Sequence, residues 1–205
     1  MLVETETDAL PIVKVVAALF RRSLSVPGVA SRTARVKGVA ALKSATDPQA
    51  ATFRLLGDRI EVERGVATDA AVVITADLND SSVKPKVEGA ARHPALALTV
   101  GKLLEPPIGP WRVETKRFME AALKRSDCPK PIRVNVAGDA TYEQYGGDGQ
   151  PAIDIYGASD QLASSMAGSS LLIESVLAED VSIIGDLRDL STLTGYGIAN
   201  LFGEL

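Results

Sequence analysis

From residue 10 onward apolar side chains recur at three- and four-residue spacings: Leu10, Ile12, Val13, Val16, Leu19 and Phe20. The spacing predicts a helix that Asp8 caps and that ends near Arg22 in a basic turn, before a break at 25–28. A strand-like stretch at 34–42 leads to 52–65, where Ile60 and Val62 alternate with Glu61 and Glu63, the mark of a strand with one buried and one wet face. Residues 70–75 are a continuous apolar strand. After Asp77 the period turns helical through Val83, Val87 and Ala90, breaks over 89–94, and resumes over 96–104. Pro106, Pro107 and Pro110 then read as a connector, with Pro110 in the first turn of a helix carrying Trp111, Phe118, Met119, Ala122 and Leu123. That helix is expected to be a hinge, with Glu120 and Lys124 paired on its exposed face.

Pro131 opens a second strand-rich stretch: Val134 and Val136, then 140–145, then Ile153 and Ile155 alternating with Asp154 and Tyr156. Ser159 or Asp160 caps a short helix with Leu162 and Met166, which Gly168 stops. Ser169 or Ser170 opens another, with Leu172, Ile173, Val176 and Leu177. A brief strand at 181–184 runs into Gly185-Asp186, and Asp186 caps a terminal helix of Leu187, Leu190, Leu193, Ile198 and Leu201.

Sliding the chain on itself by 81 residues places Gly57-Asp58 on Gly138-Asp139, Gly65 on Gly146, and Val72-Val73-Ile74 on Ile153-Asp154-Ile155. The order of elements predicts two α+β copies, each a small, largely antiparallel sheet with helices on one face. The division expected is 1–105 for the N-terminal helix and a degenerate first copy, 106–130 for the connector and hinge helix, and 131–205 for the second copy. Residues 153–202, with Ser159-Asp160-Gln161-Leu162, Gly168, 181–186 and Leu190, resemble the sterol carrier protein type 2 domain. In the first copy Gly101-Lys102-Leu103 is similar to that family's Gly-Lys-Leu, but Glu105-Pro106-Pro107-Ile108 departs from the short strand expected next. The resemblance implies a mixed five-stranded sheet covered by helices, with an apolar tunnel between them for fatty acyl or sterol-like lipid. Such domains also serve as oligomerisation or accessory modules.

Composition narrows the classes. The 205 residues are 46% hydrophobic and 23% charged, which suits a folded chain rather than a disordered one. The acidic start (Glu4, Glu6, Asp8) gives no secretory signal, and no apolar run reaches the roughly 20 residues that span a bilayer. With a single cysteine, Cys128, the expected setting is a reducing cytoplasm. Net charge is −4, but residues 1–133 hold 21 Lys/Arg against 15 Asp/Glu while 134–205 hold Arg188 against 11 acids. Arg21, Arg22, Arg32, Arg35, Lys37 and Lys43 have almost no aromatic neighbours, so the basic part does not read as a nucleic-acid surface.

No catalytic constellation is expected. His93 is the only histidine, and Cys128 lies beside Asp127 rather than a base. Gly146-Gly147-Asp148-Gly149 precedes a strand, so it reads as a hairpin loop rather than a phosphate cradle. The acids of the second half match no calcium-loop spacing, and neither metal nor cofactor is expected. The apolar residues of the second copy, Leu162, Met166, Leu172, Val176, Leu177, Ile183, Leu190, Leu193 and Ile198, are the expected ligand-binding set. Small neighbours such as Ala163, Ser164, Ala167, Gly168, Gly195 and Gly197 would leave them space. The function expected is therefore non-enzymatic: a carrier holding a fatty acyl or sterol-like lipid. The alternative is an interaction module that forms a homodimer or docks a partner enzyme.

Overall fold

The structure is a computed structural model describing residues 1–78, 83–138 and 141–205. Asp139 of the repeat and Ala140 of the expected 140–145 strand lie outside the described residues. The chain is mixed α+β and divides into two compact units, Met1–Pro107 and Ile108–Leu205.

Unit 1 runs β1 (Leu2–Thr5), α1 (Pro11–Ser25), α2 (Val29–Thr33), β2 (Gly38–Ser44), β3 (Ala50–Leu55), β4 (Arg59–Arg64), β5 (Val72–Ala76), β6 (Lys86–Glu88) and α3 (Pro94–Leu104). Its six strands lie in the order β1-β4-β3-β2-β5-β6, with β1/β4 and β2/β5 parallel and the other pairs antiparallel. Helix α1 lays Val13, Val16, Ala17 and Phe20 on the sheet, where Phe20 meets Phe53 edge to face at 5.1 Å. The buried Ser23 hydroxyl donates to the Leu103 carbonyl at 2.9 Å and ties α1 to the end of α3.

Two local expectations need correction here. Asp8 is not the cap of α1: it takes φ 57, and Leu10 stands at the N-cap with no side-chain hydrogen bond, because Pro11 sets the first helical residue. Residues 83–90 are not a helix where described. Lys86–Glu88 is β6, with Val87 opposite Ile74, and the turn after it brings Gly89 against β5. A Cβ on Gly89 would lie 2.0 Å from the Ala71 carbonyl oxygen, so only glycine fits. The N-terminal strand β1 leaves no period in the sequence, since its only buried side chain is Val3.

Unit 2 runs α4 (Trp111–Ala122), β7 (Ile132–Val136), β8 (Tyr142–Tyr145), β9 (Ile153–Gly157), α5 (Ser159–Ala167), α6 (Leu172–Leu177), β10 (Val181–Gly185) and α7 (Leu187–Leu201). Its sheet has the order β10-β9-β7-β8, with β7/β9 parallel. Ile132, Val134, Ile153, Ile155 and Val181 face the helices and join one core with Leu162, Met166, Leu193 and Tyr196. The expected hinge, α4, belongs to this core: Trp111, Phe118, Met119 and Ala122 are buried in it. The division 1–105, 106–130 and 131–205 therefore differs from the structure, which breaks once, after Pro107, because the apolar stripe of α4 has a core to join. Glu120 pairs with Lys116 at 3.9 Å rather than with Lys124, which lies beyond the helix end at Leu123.

The charge contrast shifts with that boundary. Unit 1 holds 14 Lys/Arg against 12 Asp/Glu and unit 2 holds 8 against 14, so the first is nearly balanced and the second carries −6.

The segment Gly146-Gly147-Asp148-Gly149 is not a hairpin loop either. Strands β8 and β9 are not neighbours, so it crosses the end of β7, and Gln144 braces it by donating to the carbonyls of Gly147 and Gly149. The 81-residue shift places β9 on β5 but β7 on β3 and β8 on β4. By pairing, the strand of unit 1 that resembles β7 is β2, the parallel partner of β5. Among the described residues the sheets have six and four strands, where the family resemblance implies five.

Candidate functional site

The nine residues expected to bind ligand differ in burial. Leu162, Met166, Leu172 and Leu193 are 0–3% exposed and close-packed in the unit 2 core. Val176 and Ile183 are half-buried against its edge, and Leu190 is half-buried on α7. Leu177 and Ile198 lie at the surface, with 77% and 40% of their area exposed. Helix α6 is only six residues long and ends at Leu177, which leaves that side chain nothing to pack on.

Of the small residues, Gly168 and Gly197 lie against neighbours, with a Cβ on Gly168 falling 3.1 Å from Asn200 Nδ2, whereas one on Gly195 would meet nothing within 4 Å. A Cβ on Gly197 of α7 would sit 3.6 Å from the Leu172 Cβ of α6, and one on Gly157 would sit 3.2 Å from Leu162. Between α5 and α6 the hydroxyls of Ser165 and Ser175 are 2.9 Å apart, and Ser170 completes the network. These groups satisfy one another where two helices meet.

Concave surface of suitable character occurs in unit 1. A groove of about 540 Å³ opens where the start of α1 faces the β2–β3 turn. Leu10, Pro11 and Ile12 form one wall, Pro48, Gln49 and Ala50 the other, and Arg64 and Gly65 at the end of β4 close it. The guanidinium at this end is anchored: Arg64 Nε donates to both Glu6 carboxylate oxygens at 3.1 Å. Leu10 is 45% exposed, held out of the core because it precedes the first turn rather than lying on the inward stripe. No sequence period marks this groove, since its walls come from a cap position, a turn and a strand end.

A second depression in unit 1, of about 600 Å³, has Arg35, Lys37, Arg92 and His93 around Val36, Val39, Ala71 and Leu96. Asp69 also borders it, but its carboxylate is held by Arg54 at 2.7 Å, and that bond keeps it below the usual carboxylate range. His93 stands at the N-cap of α3, as a helix-start residue.

Several titratable groups of unit 2 are engaged in structure. On the sheet face away from the helices, Arg133 donates to both oxygens of Asp154, at 2.5 and 2.8 Å, and Asn135 donates to the same carboxylate at 3.3 Å. The Arg133 bond holds the Asp154 carboxyl below its ordinary range. Tyr196 of α7 donates to Asp127 at 2.6 Å, and burial, reinforced by that carboxylate, pushes the phenol up. Burial also pushes Tyr145 up to about 12 and raises the Cys128 thiol, which therefore stays protonated at neutral pH. Among the described residues, no three His, Cys, Asp or Glu side chains are placed to hold a metal ion, and no helix is long and apolar enough to cross a membrane.

No family model matches the chain, and no curated protein matches it. Among solved structures it is similar to a protein described as a UbiJ-SCP2 ubiquinone synthesis protein, with 8% identity over 90% of this chain and 84% of that one. The TM-score is 0.26, and a likeness at that level carries no argument about fold or role.

Proposed function

We propose that the protein is a non-enzymatic binding protein for a hydrocarbon-bearing ligand of the fatty acyl or sterol-like class, and that the apolar part of the ligand lies in the unit 1 groove. The observation that carries this reading is the groove itself, about 540 Å³ walled by Leu10, Pro11, Ile12, Pro48 and Ala50. Its size is within the range of small-molecule sites, and its walls are mostly hydrocarbon with a polar group at one end. Each ligand methylene taken from water there contributes about 0.8 kcal/mol before ordering costs. The anchored Arg64 guanidinium at the end of the groove is placed for the polar end of an amphipathic ligand.

Likeness to the sterol carrier type 2 family is part of the same proposal. What supports it is the strand order: in each unit a strand pairs in parallel with a later one, which pairs antiparallel with a further edge strand. On this reading the units are divergent copies, aligned by β2 with β7 and β5 with β9.

The test is displacement of a fluorescent fatty acid from the full chain and from Leu10→Asp. Leu10 occupies a cap position that lacks a side-chain bond, so aspartate there is expected to stabilise α1 by about 1 kcal/mol while placing a charge in the groove. Lost binding with equal or greater stability supports the reading. Undiminished binding removes the groove from it.

A further inference from the structure

Strand edges leave rows of unpaired N–H and C=O groups, and proteins usually guard them with charge or proline. Three of the four sheet edges here carry such a guard: Glu4 on β1, Lys86 and Glu88 on β6, and Glu143 on β8. The fourth, β10, reads Val181-Ser182-Ile183-Ile184-Gly185, and among the described residues it pairs only with β9. It holds no charge and no proline.

The surface around this edge is apolar. Leu187 and Leu177, 80% and 77% exposed, are the two most exposed large hydrophobic residues among those described, and they flank the strand in sequence. Ile184, within it, is 64% exposed on the sheet face that no helix covers. The chain that carries these three, 174–189, also carries Glu174, Glu179, Asp180, Asp186 and Asp189, none of them in an ion pair among the described residues, with Arg188 its one cation. An unguarded edge with exposed aliphatic side chains offers main-chain bonds and apolar contact, while the carboxylates select the sign of what docks.

We infer that β10 docks an extended, lysine- or arginine-rich segment of a partner protein, which adds to the sheet as a fifth strand and sets alternate aliphatic side chains against Ile184. A second copy of this chain fits less well. Pairing β10 with β10 about a two-fold axis would bring the two acidic surrounds together. Anionic membrane is disfavoured for the same reason. The inference does not rest on the unit 1 groove, and loss of fatty-acid binding in Leu10→Asp leaves it intact.

The probe is a fluorescein-labelled, end-capped peptide of four Val-Lys repeats, titrated with the full chain and read by anisotropy. The controls are the Val-Glu peptide and a peptide of the same charge interrupted by proline. The Val-Lys peptide is expected to bind at least tenfold more tightly than either control in low salt and to weaken as salt rises. Ile184→Lys, at an exposed position, is expected to cut that affinity at least tenfold with an unchanged melting curve, and amide exchange over 181–185 is expected to slow in the complex. Equal binding of the proline-interrupted peptide would reduce the effect to charge alone and overturn strand addition. Self-association that Ile184→Lys abolishes would assign the edge to a second copy and overturn the inference, as would equal affinity for all three peptides.

Discussion

Both units cover a mixed sheet with helices, yet they dispose of their apolar side chains in opposite ways. Unit 2 buries Leu162 and Leu193 fully, and its three most exposed large hydrophobic residues, Leu177, Ile184 and Leu187, lie in or beside a strand edge in sequence. Unit 1 buries the stripe of α1 just as fully, but the chain before that helix stays open, so Leu10 and Pro11 wall a groove instead of sealing a core. Apolar content therefore does not separate core, cavity and docking surface. The distinction lies in where a helix begins and ends relative to its sheet.

The largest effects should come from the closed cores. Leu193→Ala in α7 is expected to cost about 2–5 kcal/mol by denaturant unfolding, because a fully buried side chain leaves a cavity. Leu187→Ala, the same substitution in the same helix, is expected to stay within about 0.5 kcal/mol. Similar losses for both would mean that the outer face of α7 is covered, against the contrast drawn between core and edge.

An intermediate effect is expected at the polar face of the unit 2 sheet. The Asp154 carboxyl is held below its ordinary range by Arg133, so its contribution to stability is full above the unfolded carboxylate value, near pH 4. That contribution is lost as pH falls through the lower folded value. Asp154→Asn is expected to lower the melting temperature at pH 6, by less than Leu193→Ala, and the difference from the wild type is expected to shrink as pH falls from 4 toward 2. A difference that persists unchanged at pH 2 would show that packing rather than charge is responsible.

Much of the architecture is legible along the chain because it follows periods. The alternation at Ile60 and Val62 becomes β4, that at Ile153 and Ile155 becomes β9, and the stripe from Val13 to Phe20 becomes the inward face of α1. Short or shared features escape. A three-residue strand such as β6 has no period, and the spacing of Val83, Val87 and Ala90 fits a helix until the partner Ile74 decides otherwise. The prolines at 106, 107 and 110 give α4 the look of a linker element, although Phe118 and Met119 bind it into the second core. Exposure within the expected ligand-binding set is hidden for the same kind of reason. Leu177 and Leu193 both continue helical stripes, and only the end of α6 leaves the first in water.

A gain rather than a loss is expected of Leu10→Asp, about 1 kcal/mol from the missing cap. A loss of stability instead would show that Leu10 packs as core and that the groove is closed.

The most direct test of the assignment to unit 1 compares Leu10→Asp with Leu190→Trp, which adds bulk on the half-buried side of α7 in unit 2. Fluorescent fatty-acid displacement is measured on both, once each is shown to be folded by its melting curve. The groove assignment predicts that Leu10→Asp loses binding at least tenfold while Leu190→Trp keeps the wild-type affinity; retained binding in the first with loss in the second would place the ligand in unit 2 and contradict it.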